Sequence, residues 1–336
     1  MKALTRMIST RITRPGFAIL LTTAPLVVLA QNKQQANTYP NKAIRIVSPS
    51  GPGSGNDILA RLIGQSLSAS VMQPVVVDNR PGASGALGAE FAAKSSPDGY
   101  TLLLGFNGNL AVLPVLRKQL SYDPLTDFNT VTRIASIPGA LVIHPSIPAH
   151  TVKELIALAK AKPGELNFAT YGIGSGSHMA GELFKSLAAI NITSVSYKSS
   201  TQGVTDLAGG HVDLMIHSAP VVLPLARAGR LRALAVTSAK RSPAAPELPT
   251  MMEAGVPGYE LSIWFGLVVP AGTPPSIIEK LNREIVRILS VKDIREALLA
   301  QGFDPEASTP DEFSKYLKSE IERYTKIVKA AGIPTE

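Results

Sequence analysis

The sequence predicts an α/β fold of two α/β lobes with a ligand cleft between them. Two stretches of the same design and the chain length carry that expectation. In the first stretch, Ile44-Arg45-Ile46-Val47 reads as a buried strand. Asp57 to Ala69 reads as a helix, with Ile58, Leu59, Leu62, Ile63 and Leu67 on one face. Three glycines and two prolines fill the loop between them. In the second stretch, Leu166 to Thr170 reads as a strand, Tyr171 to Gly176 as a Gly/Ser loop, and Ser177 to Leu187 as a helix with Ser177 as its cap. At 336 residues the chain is too long for one ordinary domain and fits two.

The first loop has a clear physical character. Pro49 and Pro52 lack an amide hydrogen and stiffen it. Gly51, Gly53 and Gly55 allow positive φ and a close approach to a guest. Ser54 or Asn56 can cap the helix. Such a turn presents free N–H groups and the positive end of a helix dipole, which suits an anion. A single Gly-rich loop also fits a tight turn with nothing bound. The second loop, built alike, favours binding, with each lobe offering a helix N-terminus to one cleft. The candidate contacts are Ser50, Gly51, Gly53 and Ser54 on the first loop, and Thr170, Gly174, Ser175 and His178 on the second. Thr170, Ser175 and Ser177 also fit pure capping and turn roles. Asp57 fits a cap or loop-orienting role better than contact with an anion, which it would repel.

Other elements follow in order. Val75 to Val77 is a strand, Ala83 to Lys94 a small-residue helix, and Tyr100 to Leu104 a third strand, which together make a right-handed crossover unit. Asn107 and Asn109 follow that strand end, where α/β sheets bind ligands, although Asn is equally a turn residue. Leu141 to Ile143 opens the second lobe. Thr151 and Glu154 form a capping box for the helix Val152 to Lys160. Strands are expected near Val195, at Val212 to Ile216, at Arg232 to Val236 and at Trp264 to Val269. Thr309, Pro310 and Glu312 start a long final helix to about Ala330. Trp264 and Phe265 read as packing at the lobe crossing, and Lys240-Arg241 as a solvated surface pair.

The N-terminus reads as a secretory leader. Lys2, Arg6, Arg11 and Arg14 precede the apolar run Phe17 to Ala30, and Val28 with Ala30 fits a small-x-small cleavage site. The run contains Pro25 and is short for a membrane span of roughly 20 residues. Four of the 33 basic residues and no acidic residue lie in the leader, which leaves 29 basic against 25 acidic residues. That balance, without a basic run interleaved with aromatics, does not point to nucleic acid. The chain has no cysteine, so thiolate metal sites and cysteine nucleophiles are excluded and an exported chain must rely on its core. The histidines, His144, His150, His178, His211 and His217, show no metal-ligand spacing. No cofactor is expected. A serine hydrolase lacks its elbow: Ile173 stands two residues before Ser175, and Pro52 two before Ser54.

Many blocks in order resemble the Bug-type (TctC-like) extracytoplasmic solute receptors of tripartite tricarboxylate transporters. They include YPNKAIRIVSP, NDILARLIG, QPVVVDNRPGASGALGAEFAAKSSPDGYTLLLG, LSYDPLTDF, GIGSGSHMAGELF, AGRLRALAVTSAKRSP, LPTMMEAGVPGYE and WFGLVVPAGTP. The resemblance covers nearly all of the chain after the leader. It implies a type II periplasmic-binding-protein fold, with lobe one at 40–138 plus 263–336 and lobe two at 139–262. It implies no enzyme, but a periplasmic, monomeric receptor that hands a small carboxylate to integral membrane subunits. Ligand contacts would come from the two Gly-rich turns, through backbone groups and ordered water more than through charged side chains. His178 would be a positioning hydrogen-bond donor rather than a general base. The chain departs from the family at Ser50, Gly51 and Pro52, where an aromatic followed by Pro-Pro is common. It departs again at Leu110 and Leu113 in place of a His and an Asn, and at His217 in place of an acidic residue. All these positions are expected to face the cleft. A sensor receptor delivering its solute to a signalling partner would share every pocket feature; a secreted hydrolase is the enzyme alternative.

If the leader is cleaved as read, N-terminal sequencing of exported protein should start near Gln31; soluble exported protein that retains Met1 would refute the leader reading.

Overall fold

The protein is described by a computed structural model over residues 39–171 and 175–335. The expected leader, 1–30, and Gly174 lie outside the described residues. The order begins β1 (Ile44–Ser48), α1 (Gly55–Val71), β2 (Val75–Asn79), α2 (Ala86–Ala93) and β3 (Thr101–Phe106). It continues through a turn at Gly108–Val112, α3 (Leu113–Leu116), β4 (Phe128–Ile143), α4 (Val152–Ala161), β5 (Asn167–Thr170) and α5 (Gly176–Ala188). Then come β6 (Thr193–Ser196), α6 (Ser200–Ala208), β7 (Leu214–Ser218), α7 (Ala219–Arg227) and β8 (Arg232–Val236). The chain closes with β9 (Ser262–Pro270), α8 (Pro275–Ser290), α9 (Lys292–Ala300), β10 (Asp304–Pro305) and α10 (Pro310–Ala330).

β1 pairs in parallel with β2 and β3, and β5 pairs in parallel with β6 and β7. β4 joins the two groups. From Phe128 to Pro138 it runs antiparallel to β9, and from Gly139 to Ile143 antiparallel to β7. β8 pairs with the same terminal segment of β4. The sequence reading found only the last three residues of this strand. Its first part, Phe128 to Ala140, mixes Thr, Arg and Ser with apolar residues and carries Pro138-Gly139, which reads as a break. Pro138 stands where the pairing partner changes. The helices α8 and α9 were not claimed from sequence, although Ile277, Ile278, Leu281, Ile285, Ile288 and Leu289 line one buried face of α8.

The expected helix from Ala83 splits. Ala83, Ser84 and Gly85 have φ of 48°, 57° and 91°, and α2 starts only at Ala86. The left-handed segment turns the chain so that α2 lies against the first loop. A Cβ on Gly88 would sit 2.9 Å from Pro49 Cα, so only glycine permits that approach.

One core cluster packs β1, β3 and β9 against α1 and α8. Another lies under α6 and α7. The largest contains Leu103, Leu141, Phe168, Phe184, Tyr259, Trp264, Phe313 and Tyr324, and so runs unbroken past the crossing. α10 straps this region. Its start has the expected capping box: Thr309 Oγ1 accepts the Glu312 N–H (3.2 Å), and Glu312 Oε2 accepts the Thr309 N–H (2.8 Å). Further along, the buried Trp264 Nε1–H donates to Glu320 Oε2 at 2.8 Å. Arg323 sits 2.6 Å from Glu320 Oε1 and 3.1 Å from Glu260 Oε2. Trp264 and Phe265 are thus core residues, as expected, and Arg241 is a surface cation paired with Glu253 (2.8 Å).

Trp264→Phe keeps the ring packing and removes the indole donor from a buried carboxylate. It should cost about 1.5–3 kcal/mol in urea unfolding; an unchanged midpoint would show that the bond contributes nothing.

Candidate functional site

The strand directions place the site. β1, β2 and β3 end at Ser48, Asn79 and Phe106; β5, β6 and β7 end at Thr170, Ser196 and Ser218. On β4, Pro138 is opposite Ser262, the first residue of β9, and Gly139 is opposite Ser218, the last residue of β7. Both sets of carboxyl ends therefore point toward the one crossing. Outside carboxyl ends is where open α/β sheets bind ligands.

The first loop is organised by Asp57. Its Oδ2 accepts the Gly53 N–H (2.9 Å) and Arg61 Nε (3.0 Å), and its Oδ1 accepts Asn79 Nδ2 (2.9 Å). Asn79 Nδ2 also reaches the Ser50 carbonyl at 3.0 Å. Asp57 is buried, and the Arg61 guanidinium, with Gly53 and Asn79 in support, holds its carboxyl down at about 2 despite that burial. The cap is Ser54, whose Oγ accepts the Asp57 N–H at 3.3 Å. Asn56 is spent elsewhere: its Nδ2 donates to the Leu104 carbonyl (3.0 Å) and its Oδ1 accepts Ser50 Oγ–H (3.3 Å). Asp57 thus orients the loop, as expected. The Gly53 amide, expected to be free for a guest, is turned inward to it, and the Ser54 amide bonds the Gly51 carbonyl (3.2 Å). Gly51 and Gly53 border open space, since a Cβ on either would meet nothing within 4 Å.

The two asparagines after β3 work as turn residues. Asn107 Nδ2 donates to Tyr324 Oη at 3.0 Å, which ties the strand end to α10. Asn109 Oδ1 accepts the Phe106 N–H at 2.9 Å. Asn109 is fully buried, and its Nδ2 has no hydrogen-bond partner. Leu110 and Leu113 do not face a cleft. Both are in the main core, with Leu110 packed on Gly105, where a Cβ would lie 2.3 Å from Leu110 Cδ1. An apolar residue following a buried glycine strand end simply completes the core.

On the second turn Thr170 closes β5 and is buried, and its carbonyl accepts the Tyr197 N–H at 2.8 Å. The cap of α5 is Ser175 and not Ser177. Ser175 Oγ accepts the His178 N–H (3.2 Å), whereas Ser177 Oγ accepts the Tyr171 N–H (3.2 Å) and so folds the loop back on itself. Two serines at a helix start compete for capping, and extended backbone at Ser175 decides it. His178 Nε2 lies 3.8 Å from Glu182 Oε1, one helical turn on; burial lowers its pKa more than Glu182 raises it. His217, next to last on β7, has its ring 5.5 Å from the Tyr171 ring. Its Nδ1 is buried without a partner, and burial lowers its pKa.

The structure thus brings Ser50, Gly51, Gly53 and Ser54 together on one carboxyl edge, and Thr170, Ser175, His178 and His217 on the other. Sequence reasoning missed the Arg80 to Gly85 turn. Gly85 packs against Pro49, Phe106 and Asn109, so this turn borders the first loop and the asparagine turn at once. The signal was present in Pro81-Gly82-Ala83-Ser84-Gly85 directly after a strand. The arginines nearest the first loop are engaged: Arg61 with Asp57, and Arg80 with Asp78 (2.9 Å) and over the Phe91 ring (3.4 Å). Among the described residues, no group of three or more His, Cys, Asp or Glu could hold a metal, and no helix is long and apolar enough to cross a membrane.

Residues 59–333 match the tripartite tricarboxylate transporter family receptor, TctC. The chain belongs to that family. It is 41% identical over 298 residues to protein BugT of Bordetella pertussis, covering 88% of this chain and 91% of BugT. Among solved structures it is similar to an R. palustris protein with adipate, at 39% identity and a TM-score of 0.71, covering 89% of this chain and all of that one. It is also similar to a TctC solute-binding protein from Polaromonas with no ligand, at 27% identity and a TM-score of 0.78, covering 87% of this chain and 99% of that one. The fold expected from the resemblance is the fold found.

Ionised Asp57 supports the first loop through three partners. Its pKa is lowered from 3.8 to about 2, so it contributes stability above pH about 4 that is lost as pH falls toward 2. Asp57→Asn should cost about 1–2 kcal/mol at neutral pH, the exposed Arg61 being partly screened. Unfolding midpoints of the two proteins should converge near pH 2; a constant gap across that range would remove Asp57 ionisation as the cause.

Proposed function

We propose that this chain is an exported periplasmic receptor that captures a small carboxylate-bearing solute between its two lobes and passes it to the integral membrane subunits of a tripartite transporter. The observation that carries this reading is the pairing of two serine-capped helix N-termini, α1 and α5, on carboxyl edges directed at one crossing. Helix N-termini favour negative charge. The R. palustris relative was solved with adipate, which makes a dicarboxylate the natural first probe. The receptor is not an enzyme in this reading, and it works as a monomer.

Contacts to the solute come from Ser50, Gly51, Gly53 and Ser54 on one side and from Thr170, Gly174, Ser175, His178 and His217 on the other, with the Asn107–Asn109 turn behind the first group. Because Gly53 and Ser54 spend their amides inside the loop, hydroxyls, the remaining amides and bridging water hold the anion. The chain divides at Pro138–Gly139 and again near Ser262. Lobe one is then 40–138 plus 263–336 and lobe two 139–262, and these segments swing as bodies when solute enters.

Calorimetry with adipate, its monoamide and its diamide tests the reading. Affinity should fall from the dianion to the diamide. Ser175→Ala should weaken adipate binding about ten- to a hundredfold, the loss of a hydrogen bond to a charged group. The lost cap costs about 1 kcal/mol of stability as well, which a melting curve reads separately. A diamide that binds as tightly as adipate would overturn the anion assignment.

A further inference from the structure

Away from the Gly-rich loops, the two lobes meet along a second seam beside the crossing. β10 lies against β4, Asp304 opposite Ser136 and Pro305 opposite Ala135. From the other lobe, the loop after β8 brings Ser242 to it. Ser242 Oγ–H donates to Asp304 Oδ1 at 3.1 Å and accepts the Ala244 N–H at 3.2 Å. Ser242 is 1% exposed and Asp304 9%. Next to them, Gly302 lies on the first turn of α7: a Cβ there would fall 2.2 Å from Pro220 Cγ. A cavity of about 290 Å³ adjoins the seam, lined by Pro138, Leu223, Arg227, Ser242, Leu299 and Gly302 among others.

Asp304 is thus a carboxylate buried at a joint between moving parts, with a serine of the opposite lobe as its hydrogen-bond donor. The charged groups around it do not compensate it. Just after its own strand Glu306 repels it, while Glu306 itself is tied to Arg133 and Ser136 of β4. Arg227 of α7 donates to the Ala244 carbonyl at 2.8 Å. Lys240 and Arg241 of the facing loop are exposed, and Arg241 is paired with Glu253. The charged residues of α9, from Lys292 to Glu296, are exposed too.

We propose that the Ser242–Asp304 seam is a proton-dependent latch that holds the lobes in the arrangement of this structure. The inference rests on the two-lobe receptor reading above. Buried in the seam, Asp304 has its pKa raised from 3.8 to about 6, first by desolvation and then by Glu306, with Ser242 opposing. Separation at the seam returns it to water and to its ordinary value. The latched state therefore binds the proton more tightly. Its advantage is full below pH about 4, falls as pH rises through about 6, and stays low above that. Acid favours the latched form, and neutral pH frees the lobes to move relative to one another.

The chain has no cysteine, so Lys160→Cys and Glu296→Cys, both at exposed positions and one on each lobe, give a clean spin-label pair. Without solute, the ratio of latched to unlatched lobe separation should fall roughly twentyfold from pH about 4.5 to about 7. Asp304→Asn, a neutral isostere, should stay latched throughout; Ser242→Ala, which removes the donor to the ionised carboxylate, should lose latched population at neutral pH and steepen the response. A distance distribution independent of pH, or an Asp304→Asn variant that follows the wild type, would overturn the latch. Adding adipate at pH about 7 reads the receptor proposal independently. Failure of adipate to move the labels, with the pH response present, would count against the carboxylate assignment and leave the latch standing.

Discussion

The structure depends on one continuous strand. β4 spans sixteen residues and belongs to both halves of the sheet, changing partners between Pro138 and Gly139. Proline has no amide to give to a ladder, and Gly139 takes a side-chain acceptor instead, its N–H donating to Thr237 Oγ1 at 2.7 Å. The regular ladder is thus weakest where the chain passes between lobes. Because β4 runs antiparallel to β9 on one side of that point and to β7 on the other, every parallel strand of both groups ends toward it. The cleft is a consequence of strand direction before any side chain is considered.

Around that crossing the molecule places three devices with different physics. α10 straps the back through Trp264, Glu320 and Arg323, a charged network in which the indole and the guanidinium both reach the Glu320 carboxylate. The first loop is shaped by Asp57, which takes an amide, an arginine and an asparagine at once. The seam at Ser242 and Asp304 is under-compensated by comparison. Asp57 and Asp304 are both buried aspartates, yet their pKa values move in opposite directions: a guanidinium holds Asp57 down, whereas at Asp304 desolvation, with Glu306 adding to it, outweighs the Ser242 hydroxyl.

The binding chemistry follows from spent and unspent donors. Serines cap both helices, and the arginines near the first loop are engaged with aspartates. What remains for an anion is dipole, hydroxyl and backbone rather than a fixed cation. In the proposed reading, such a site would recognise a carboxylate without the desolvation cost of a buried charge on the protein.

The two strand-loop-helix turns, the α/β class and the capping box of α10 were legible in the sequence, because each rests on neighbours within about four residues: apolar periodicity, glycine spacing and Ser or Thr at a cap. Which serine caps α5 was not, since Ser175 and Ser177 have equal local claims and only the fold of Tyr171 against Ser177 separates them. Nor was the length of β4, whose Pro138-Gly139 reads as a break until β9 and β7 supply partners on either side. The inward turn of the Gly53 amide, the burial of Leu110 and Leu113, and the meeting of Ser242 with Asp304 all join residues distant in the chain or set by packing. Local chemistry is written in the order of residues. Tertiary structure alone decides which donor is already spent, because a hydrogen bond made across the fold leaves no local pattern.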